Sequence, residues 1–320
     1  MKIKTLLIAV PISDKNRSRI AALLPDSEII YKEKAPPEDF DRADVIFGNV
    51  GPKQVADKPN LKWVHTSSAG TDHIARVISP ETLLTNSTGA YGPGISEYMI
   101  AVILSAIKRL PEYQMNQRAH KWNIEGMITN IEGSVVLSLG LGNIGSTFSR
   151  KMKALGAYTI GVRRLDASKP DYMDEVHLYD KIDELLPRAD IVALSLPNNS
   201  ETYHTLSAAR IPLMKPGSVV VNIGRGRAID TEALMEGLQV GRPGFACLDV
   251  TDPEPLPPGH PLWDMRNVII TPHCSGWQTN PSTHDLAAEI FIAQIAAYIE
   301  DKPLRNIVDR ETGYRKTILR

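Results

Sequence analysis

The sequence predicts an α/β protein: a mostly parallel, doubly wound sheet, with a second, smaller α/β unit built from both ends of the chain. Three observations carry this. From Ile131 onward, short apolar runs alternate with helical stretches, as βαβ units require. The first hundred residues repeat that alternation on a smaller scale. A last helical stretch follows the sheet and is expected to return to the N-terminal unit. At roughly 150 residues per domain, 320 residues make two domains. The expected boundaries are 1–100 with 284–320 for the smaller unit and 101–283 for the larger.

Taken in order, Ile3–Val10 reads as a buried strand. Its apolar run follows two lysines, but it is short, has no small-x-small site, and meets Ser13-Asp14-Lys15-Asn16-Arg17 at once, so a strand is expected there and not a signal h-region. Lys15–Leu24 reads as a helix stopped by Pro25. Val45–Gly48 and Trp63–Thr66 are further strands. A helical pattern covers Ile95–His120, with Pro111 as a kink or break. Tyr98–Ile107 within it is apolar nearly all round, which fits a core helix or a helix between domains or subunits. The second option makes a homodimer the expectation. Strands are then expected at Ser134–Leu139, Tyr158–Val162, Ile191–Leu196, Ser218–Ile223, Gly244–Val250 and Val268–Thr271. Helices are expected at Ser146–Leu155, Ile182–Leu186, Ala208–Met214, Thr231–Gln239 and Asp285–Glu300. The proline-dense run from Asp252 to Pro261 could be a rigid linker, but it directly follows a strand end.

Composition narrows the function. Hydrophobic residues are 42% and charged residues 23%, ordinary globular usage. Lys+Arg 36 against Asp+Glu 37 leaves no basic excess for a nucleic-acid or anionic-membrane partner. Apolar stretches such as Met99–Leu104 are far below the roughly 18 residues of a membrane span. Cys247 and Cys274 cannot build a disulfide framework, so a reducing, cytoplasmic compartment is expected. His65, His73, His120, His177, His204, His260 and His284 show no metal-ligand spacing, and no metal is expected.

Gly140-Leu141-Gly142-Asn143-Ile144-Gly145 matches G-x-G-x-x-G between the apolar strand Val135–Leu139 and a helical pattern. In that context Gly140 makes the tight turn, Gly142 admits a pyrophosphate, and Gly145 allows helix–strand packing. Free N–H groups and the dipole at the helix start attract the phosphates. At the end of the next strand, an acidic residue would hold a ribose 2′-hydroxyl and favour NAD. This chain has Arg163 and Arg164 there, which suit a 2′-phosphate instead. NADP is therefore the preferred cofactor and NAD a possible one, the latter if Asp166 takes the ribose.

Ligands of open α/β sheets bind beyond the carboxyl ends of the strands. Three strands deliver chemistry there: Val221-Asn222-Ile223-Gly224-Arg225-Gly226-Arg227, Asp249-Val250-Thr251-Asp252-Pro253-Glu254, and Thr271-Pro272-His273-Cys274-Ser275-Gly276-Trp277. A cation for a carboxylate, an imidazole for a proton and a carboxylate to tune it are the parts of a carbonyl-reducing hydride transfer. Arg227 reads as a surface residue. Cys274 beside His273 suggests a Cys/His nucleophile, but neighbours on an extended segment face opposite ways. Tyr91, Trp122 and Trp277 lie near these loops as pocket-lining or packing residues.

These residues resemble the D-isomer-specific 2-hydroxyacid dehydrogenases over nearly the whole length. The resemblance rests on the glycine turn, Ser195-Leu196-Pro197, Met214-Lys215-Pro216-Gly217, Val221–Gly226, Glu254-Pro255-Leu256 and Thr271-Pro272-His273, in order. It implies a Rossmann sheet with a flavodoxin-like second domain, and a small 2-oxo acid substrate such as glyoxylate, hydroxypyruvate or pyruvate. It also implies site roles. Arg225 binds the substrate carboxylate, His273 is the acid–base, and Glu254 hydrogen-bonds His273 and raises its pKa. The backbone amides of Ser68-Ala69-Gly70 hold the carboxylate. Leu196, Pro197, Ile223, Gly224, Asp249 and Ser275 join the turn, Arg225 and His273 around the cofactor. Glu97 matches the helix start at the domain junction. The departures are Arg163 or Arg164 at the usual acidic position and Ser96 where Ala is frequent. A rival class is a dinucleotide-sensing, non-catalytic dimeric corepressor, since such proteins can keep the same three side chains.

Overall fold

Two all-parallel sheets organise the chain in the computed structural model, which describes residues 2–164, 169–276, 280–311 and 313–316. The chain divides into two compact units, Met1–Tyr91 with Trp277–Arg320, and Gly92–Gly276.

The first unit begins with β1 (Thr5–Ala9), α1 (Asp14–Leu23), β2 (Glu28–Tyr31), α2 (Pro37–Arg42), β3 (Val45–Gly48), α3 (Pro52–Val55), β4 (Trp63–Thr66) and β5 (Leu83–Asn86). The strands lie in the order β2-β1-β3-β4-β5. Leu6, Leu7, Ile8, Val45, Ile46, Phe47, Trp63 and Val64 are wholly buried, as central strands covered on both faces must be. β2 and β5 flank the sheet and escaped the sequence reading.

The second unit opens with α4 (Gly92–Ile107) and α5 (Leu110–Arg118). The helical pattern breaks at Arg109, which adopts the left-handed φ of 56°, not at Pro111. Pro111 sits in the first turn of α5, where its missing N–H forgoes no helical bond. There follow β6 (Val135–Leu139), α6 (Asn143–Ala154), β7 (Tyr158–Arg163), β8 (Glu175–Leu178), α7 (Ile182–Leu185), β9 (Ile191–Leu194), β10 (Val219–Asn222), α8 (Thr231–Gln239), β11 (Phe245–Leu248) and β12 (Val268–Ile270). The expected helix at Ala208–Met214 is only a 3₁₀ turn, Ile211–Leu213, with Pro212 in it. α4 packs on α6 and on β10 and β11, which accounts for its apolar pattern within its own unit. Contact with α6 is close: a Cβ on Gly92 would stand 2.6 Å from Thr147 Oγ1.

The seven strands run β12-β11-β10-β9-β6-β7-β8. From β6 the order proceeds one way through β7 and β8 and the other way through β9. The crevice beyond the carboxyl ends of β6 and β9 is therefore the topological switch point, where such sheets bind dinucleotides.

The chain then returns to the first unit as α9 (Pro281–Ile299) and a hairpin of β13 (Val308–Asp309) and β14 (Tyr314–Arg315). Asp285 of α9 accepts hydrogen bonds from Ser13 Oγ (2.8 Å) and Asn16 Nδ2 (3.1 Å) beside α1. Phe291 stacks on Phe47 and His65. Asn306 Nδ2 donates to the carbonyls of Asn86 and Thr88, fastening the C-terminal segment to the end of β5.

Candidate active site

The glycine turn joins β6 to α6 at the switch point. Gly140 holds φ at 96°, and a Cβ there would meet the Ser195 carbonyl at 2.9 Å. A Cβ on Gly145 would stand 1.9 Å from the Gly140 carbonyl oxygen. Chain packing alone thus demands glycine at both ends of the motif. At Gly142 a Cβ meets nothing within 4 Å. That open space beside the turn is room in which a pyrophosphate would approach the backbone. No side chain caps α6, so its leading N–H groups face that open space. By contrast, α8 and α9 are capped by Asp230 and Asn280.

Several residues expected around the cofactor frame this crevice. Ser195 Oγ donates to the Gly140 carbonyl (3.0 Å), and Leu196 touches the Gly140 position. A Cβ on Gly224 would stand 2.7 Å from the Leu196 carbonyl, so the ends of β9 and β10 meet backbone to backbone. Pro197 accepts from Thr202 Oγ1 at 2.6 Å, and Ile223 is buried. Asn143 turns its side chain to the start of α4, accepting from Gly92 N–H at 3.0 Å. Arg163 ends β7. Arg164 is exposed and pairs with Glu201 at 3.8 Å. Asp166 and Trp277 lie outside the described residues.

Arg225, Glu254 and His273 follow β10, β11 and β12, three adjacent parallel strands. Asn222 pairs with Leu248, and Leu248 with Ile270. Arg225 and His273 each lie three residues past these partners. Buried Asn222 shapes the first turn, accepting from Gly224 N–H and donating to the Arg225 carbonyl, both at 3.0 Å. A Cβ on Gly226 would lie 2.0 Å from the Thr251 carbonyl, which locks this turn against the β11 exit. Arg225 is half-buried, and its Nη1 donates to the Gly224 carbonyl at 2.9 Å. Arg227 is exposed and pairs with Asp252 at 3.4 Å.

His273 Nδ1 lies 2.6 Å from Glu254 Oε1. The carboxylate accepts, so Nδ1 carries the hydrogen and Nε2 is the nitrogen left for outside chemistry. Nε2 has no bond to any described residue. Asp249, 1% exposed, accepts on Oδ1 from Thr271 Oγ1 (2.6 Å) and Cys274 N–H (3.0 Å), and on Oδ2 from Ser275 N–H (3.1 Å). Its backbone carbonyl accepts from His273 N–H at 2.8 Å. His273 holds a φ of 49°, so the segment is not extended there and strand alternation does not govern Cys274. Burial and the Asp249 carboxylate both push the Cys274 thiol upward, which disfavours a thiolate nucleophile.

In the first unit, Ser68-Ala69-Gly70 follows β4. Their carbonyls are all engaged: Ser68 by Thr66 Oγ1 and Ser87 N–H, Ala69 by Asn86 Nδ2, Gly70 by Ser68 Oγ. Their own N–H groups meet no acceptor among the described residues. Such a run of outward donors suits an anionic oxygen. Beneath it, His65 is wholly buried between Thr85 Oγ1 (2.7 Å) and Ser87 Oγ (3.2 Å), and burial lowers its pKa to about 3. Tyr91 donates to the Ser67 carbonyl at 2.5 Å and is a packing residue, while Trp122 is fully exposed. Asn222, Thr271 and Tyr98 were not singled out from sequence. Asn222 and Thr271 sat within quoted motifs, but nothing local marks their partners.

Residues 100–275 match the family model for the D-isomer specific 2-hydroxyacid dehydrogenase NAD binding domain. A glyoxylate reductase of Aeropyrum pernix is 30% identical over 268 residues, 80% of this chain and 79% of that protein. A solved D-isomer specific 2-hydroxyacid dehydrogenase family protein from Aeromonas salmonicida superposes with a TM-score of 0.84 at 31% identity, covering 97% of this chain and all of that one. Another, from Xanthobacter autotrophicus in complex with NADPH and MES, gives 0.80 at 26% identity over 98% of this chain and all of that one. With a family model matched over residues 100–275 and a relative 30% identical over 80% of its length, the chain belongs to the D-isomer specific 2-hydroxyacid dehydrogenase family, oxidoreductases that use a nicotinamide dinucleotide.

Proposed function

We propose that the protein reduces small 2-oxo acids, of the size of glyoxylate, hydroxypyruvate or pyruvate, to D-2-hydroxy acids. The observation that carries this reading is the 2.6 Å His273–Glu254 pair, one strand removed from Arg225. Arg225 binds the substrate carboxylate through its planar fork, and in the first unit the Ser68, Ala69 and Gly70 amides are donors for an anionic oxygen. A bound nicotinamide supplies the hydride. His273 Nε2 gives its proton to the carbonyl oxygen as charge develops there, and Glu254 keeps the ring oriented and offsets its positive charge. Asp249 holds the His273 loop. The leading amides of α6, the Gly142 opening, Leu196, Pro197, Ile223 and Gly224 hold the cofactor.

NADPH is the proposed reductant. Among the described residues Arg164 pairs with exposed Glu201 at 3.8 Å, an ion pair worth about 0–1 kcal/mol that a 2′-phosphate readily replaces. The relative from Xanthobacter binds NADPH. A homodimer in a reducing, cytoplasmic setting completes the proposal. Trp122, Ile124, Met127 and Ile128 stand exposed after α5. Their segment is nonetheless fixed by Arg109 Nε to the Met127 carbonyl (2.9 Å) and Asn116 Nδ2 to Glu125 (2.6 Å). An ordered apolar surface of this kind marks a contact site. A monomeric mass in solution would refute the dimer.

The test is a panel of 2-oxo acids with NADPH and NADH, followed by loss of reduced-cofactor absorbance. Turnover with NADPH is expected. Cofactor binding without turnover of any 2-oxo acid would point instead to the dinucleotide-sensing class.

A further inference from the structure

The loop that carries His273 is held by a directed chain of hydrogen bonds that begins on a different element. Both oxygens of Asp249 receive backbone N–H donors, so its carboxylate acts as an acceptor throughout. The single hydroxyl proton of Thr271 therefore goes to Asp249 Oδ1. Thr271 Oγ1 also contacts the Tyr98 hydroxyl of α4, and with its own proton committed it accepts there. The polarity is Tyr98 to Thr271 to Asp249. Burial and the nearby Asp249 carboxylate push the Tyr98 phenol up, which keeps it a donor.

The N–H groups of His273, Cys274 and Ser275 all end on Asp249, on its carbonyl and its two carboxylate oxygens. That convergence holds His273 in the left-handed region, a conformation that non-glycine residues seldom adopt. It also aims the ring at Glu254. The geometry points to Tyr98 and Thr271 as positioning residues for His273, acting through Asp249 without touching substrate. This rests on the reading of His273 as the proton donor.

Three variants test it: Thr271→Val, which removes the hydroxyl at nearly constant volume, Thr271→Ser, which restores it, and Tyr98→Phe. Each is assayed for kcat, KM, dinucleotide affinity and backbone amide exchange across 273–275. Misplacing a reacting group lowers turnover steeply, so Thr271→Val is expected to lose about tenfold in kcat. Its KM and dinucleotide affinity should stay within about twofold, and Thr271→Ser should recover kcat to within about twofold. Tyr98→Phe removes only the outer link and should lose about threefold. Exchange across 273–275 should quicken in Thr271→Val and return to normal in Thr271→Ser. Full kcat in Thr271→Val, a loss that serine does not rescue, or an equal loss of dinucleotide affinity overturns the assignment. If the wild-type protein turns over no 2-oxo acid, the reading of His273 as donor fails by itself. The exchange measurement then decides the tether, and unchanged exchange in Thr271→Val overturns it.

Discussion

Glu254 and His273 are joined through Nδ1 at 2.6 Å, which leaves Nε2 as the one ring nitrogen available for proton transfer. Replacing His273 by alanine removes that nitrogen and is expected to cut turnover by about 10²–10⁴. Dinucleotide affinity should survive, because the glycine turn is untouched. Glu254→Gln keeps an acceptor near Nδ1 but removes the charge, so its loss should be smaller than that of His273→Ala. Steady-state kinetics with a separate cofactor titration check both; near-normal turnover in His273→Ala would remove the mechanism.

Arg225 is set by Asn222 and by the Gly226 contact with Thr251, so its guanidinium starts from a fixed turn. Arg225→Ala should lower kcat/KM for 2-oxo acids by about 10–100-fold, the worth of a charged hydrogen-bonded contact. Arg225→Lys should recover only part, since an ammonium lacks the bidentate fork. An unaltered preference for 2-oxo acids over simple ketones in Arg225→Ala would contradict its role.

The glycines of the turn should respond in opposite ways. Gly145→Ala forces a methyl against the Gly140 carbonyl and should cost stability by about 1–3 kcal/mol or more. Gly142→Ala adds a methyl to open space at a φ of −75°, so the apoprotein should melt normally. Its dinucleotide affinity should nevertheless fall by about tenfold or more, because the methyl occupies the pyrophosphate's place. Thermal melts and cofactor titrations separate the two, and normal affinity in Gly142→Ala would refute the assigned crevice.

Arg163→Ser combined with Arg164→Ser should raise KM for NADPH by about tenfold while leaving NADH nearly unchanged, as loss of a phosphate partner predicts. Equal effects on both cofactors would show that the arginines do not read the 2′-position.

His65 gives the first unit an acid sensitivity. Its pKa is lowered by burial to about 3, against 6.5 when solvated. Below pH 6.5 the unfolded chain takes up a proton that the folded chain refuses until about pH 3. Stability is therefore unaffected above that window and falls as pH drops through it, by up to about 1.4 kcal/mol per unit. Denaturant melts at about pH 7 and about pH 5 should show the fall, and His65→Gln should flatten it. An equal slope in the variant would mean that other groups carry the effect.

Much of this was legible in the chain. The apolar runs after Ile131 named the central strands of the second unit because β6, β9, β10 and β11 are covered on both faces, which leaves an apolar signature in sequence. Short flanking strands such as β2 and β8 carry polar residues, Glu28 in one and Glu175 and His177 in the other, and so left none. Arg225, Glu254 and His273 could be proposed from sequence because strand ends are local features and the chemistry of those side chains is distinctive.

The sequence by itself determined the alternation of elements, the place of the glycine turn and the kinds of groups at the strand ends. Only the tertiary structure decided which glycine leaves room for a ligand, where Asp249 spends its carboxylate, and that Tyr98 reaches Thr271 across 173 positions of chain. Periodicity and turn chemistry act over a few residues and are written locally. A hydrogen bond between distant segments depends on how sheets and helices stack, and no short stretch of sequence contains both partners.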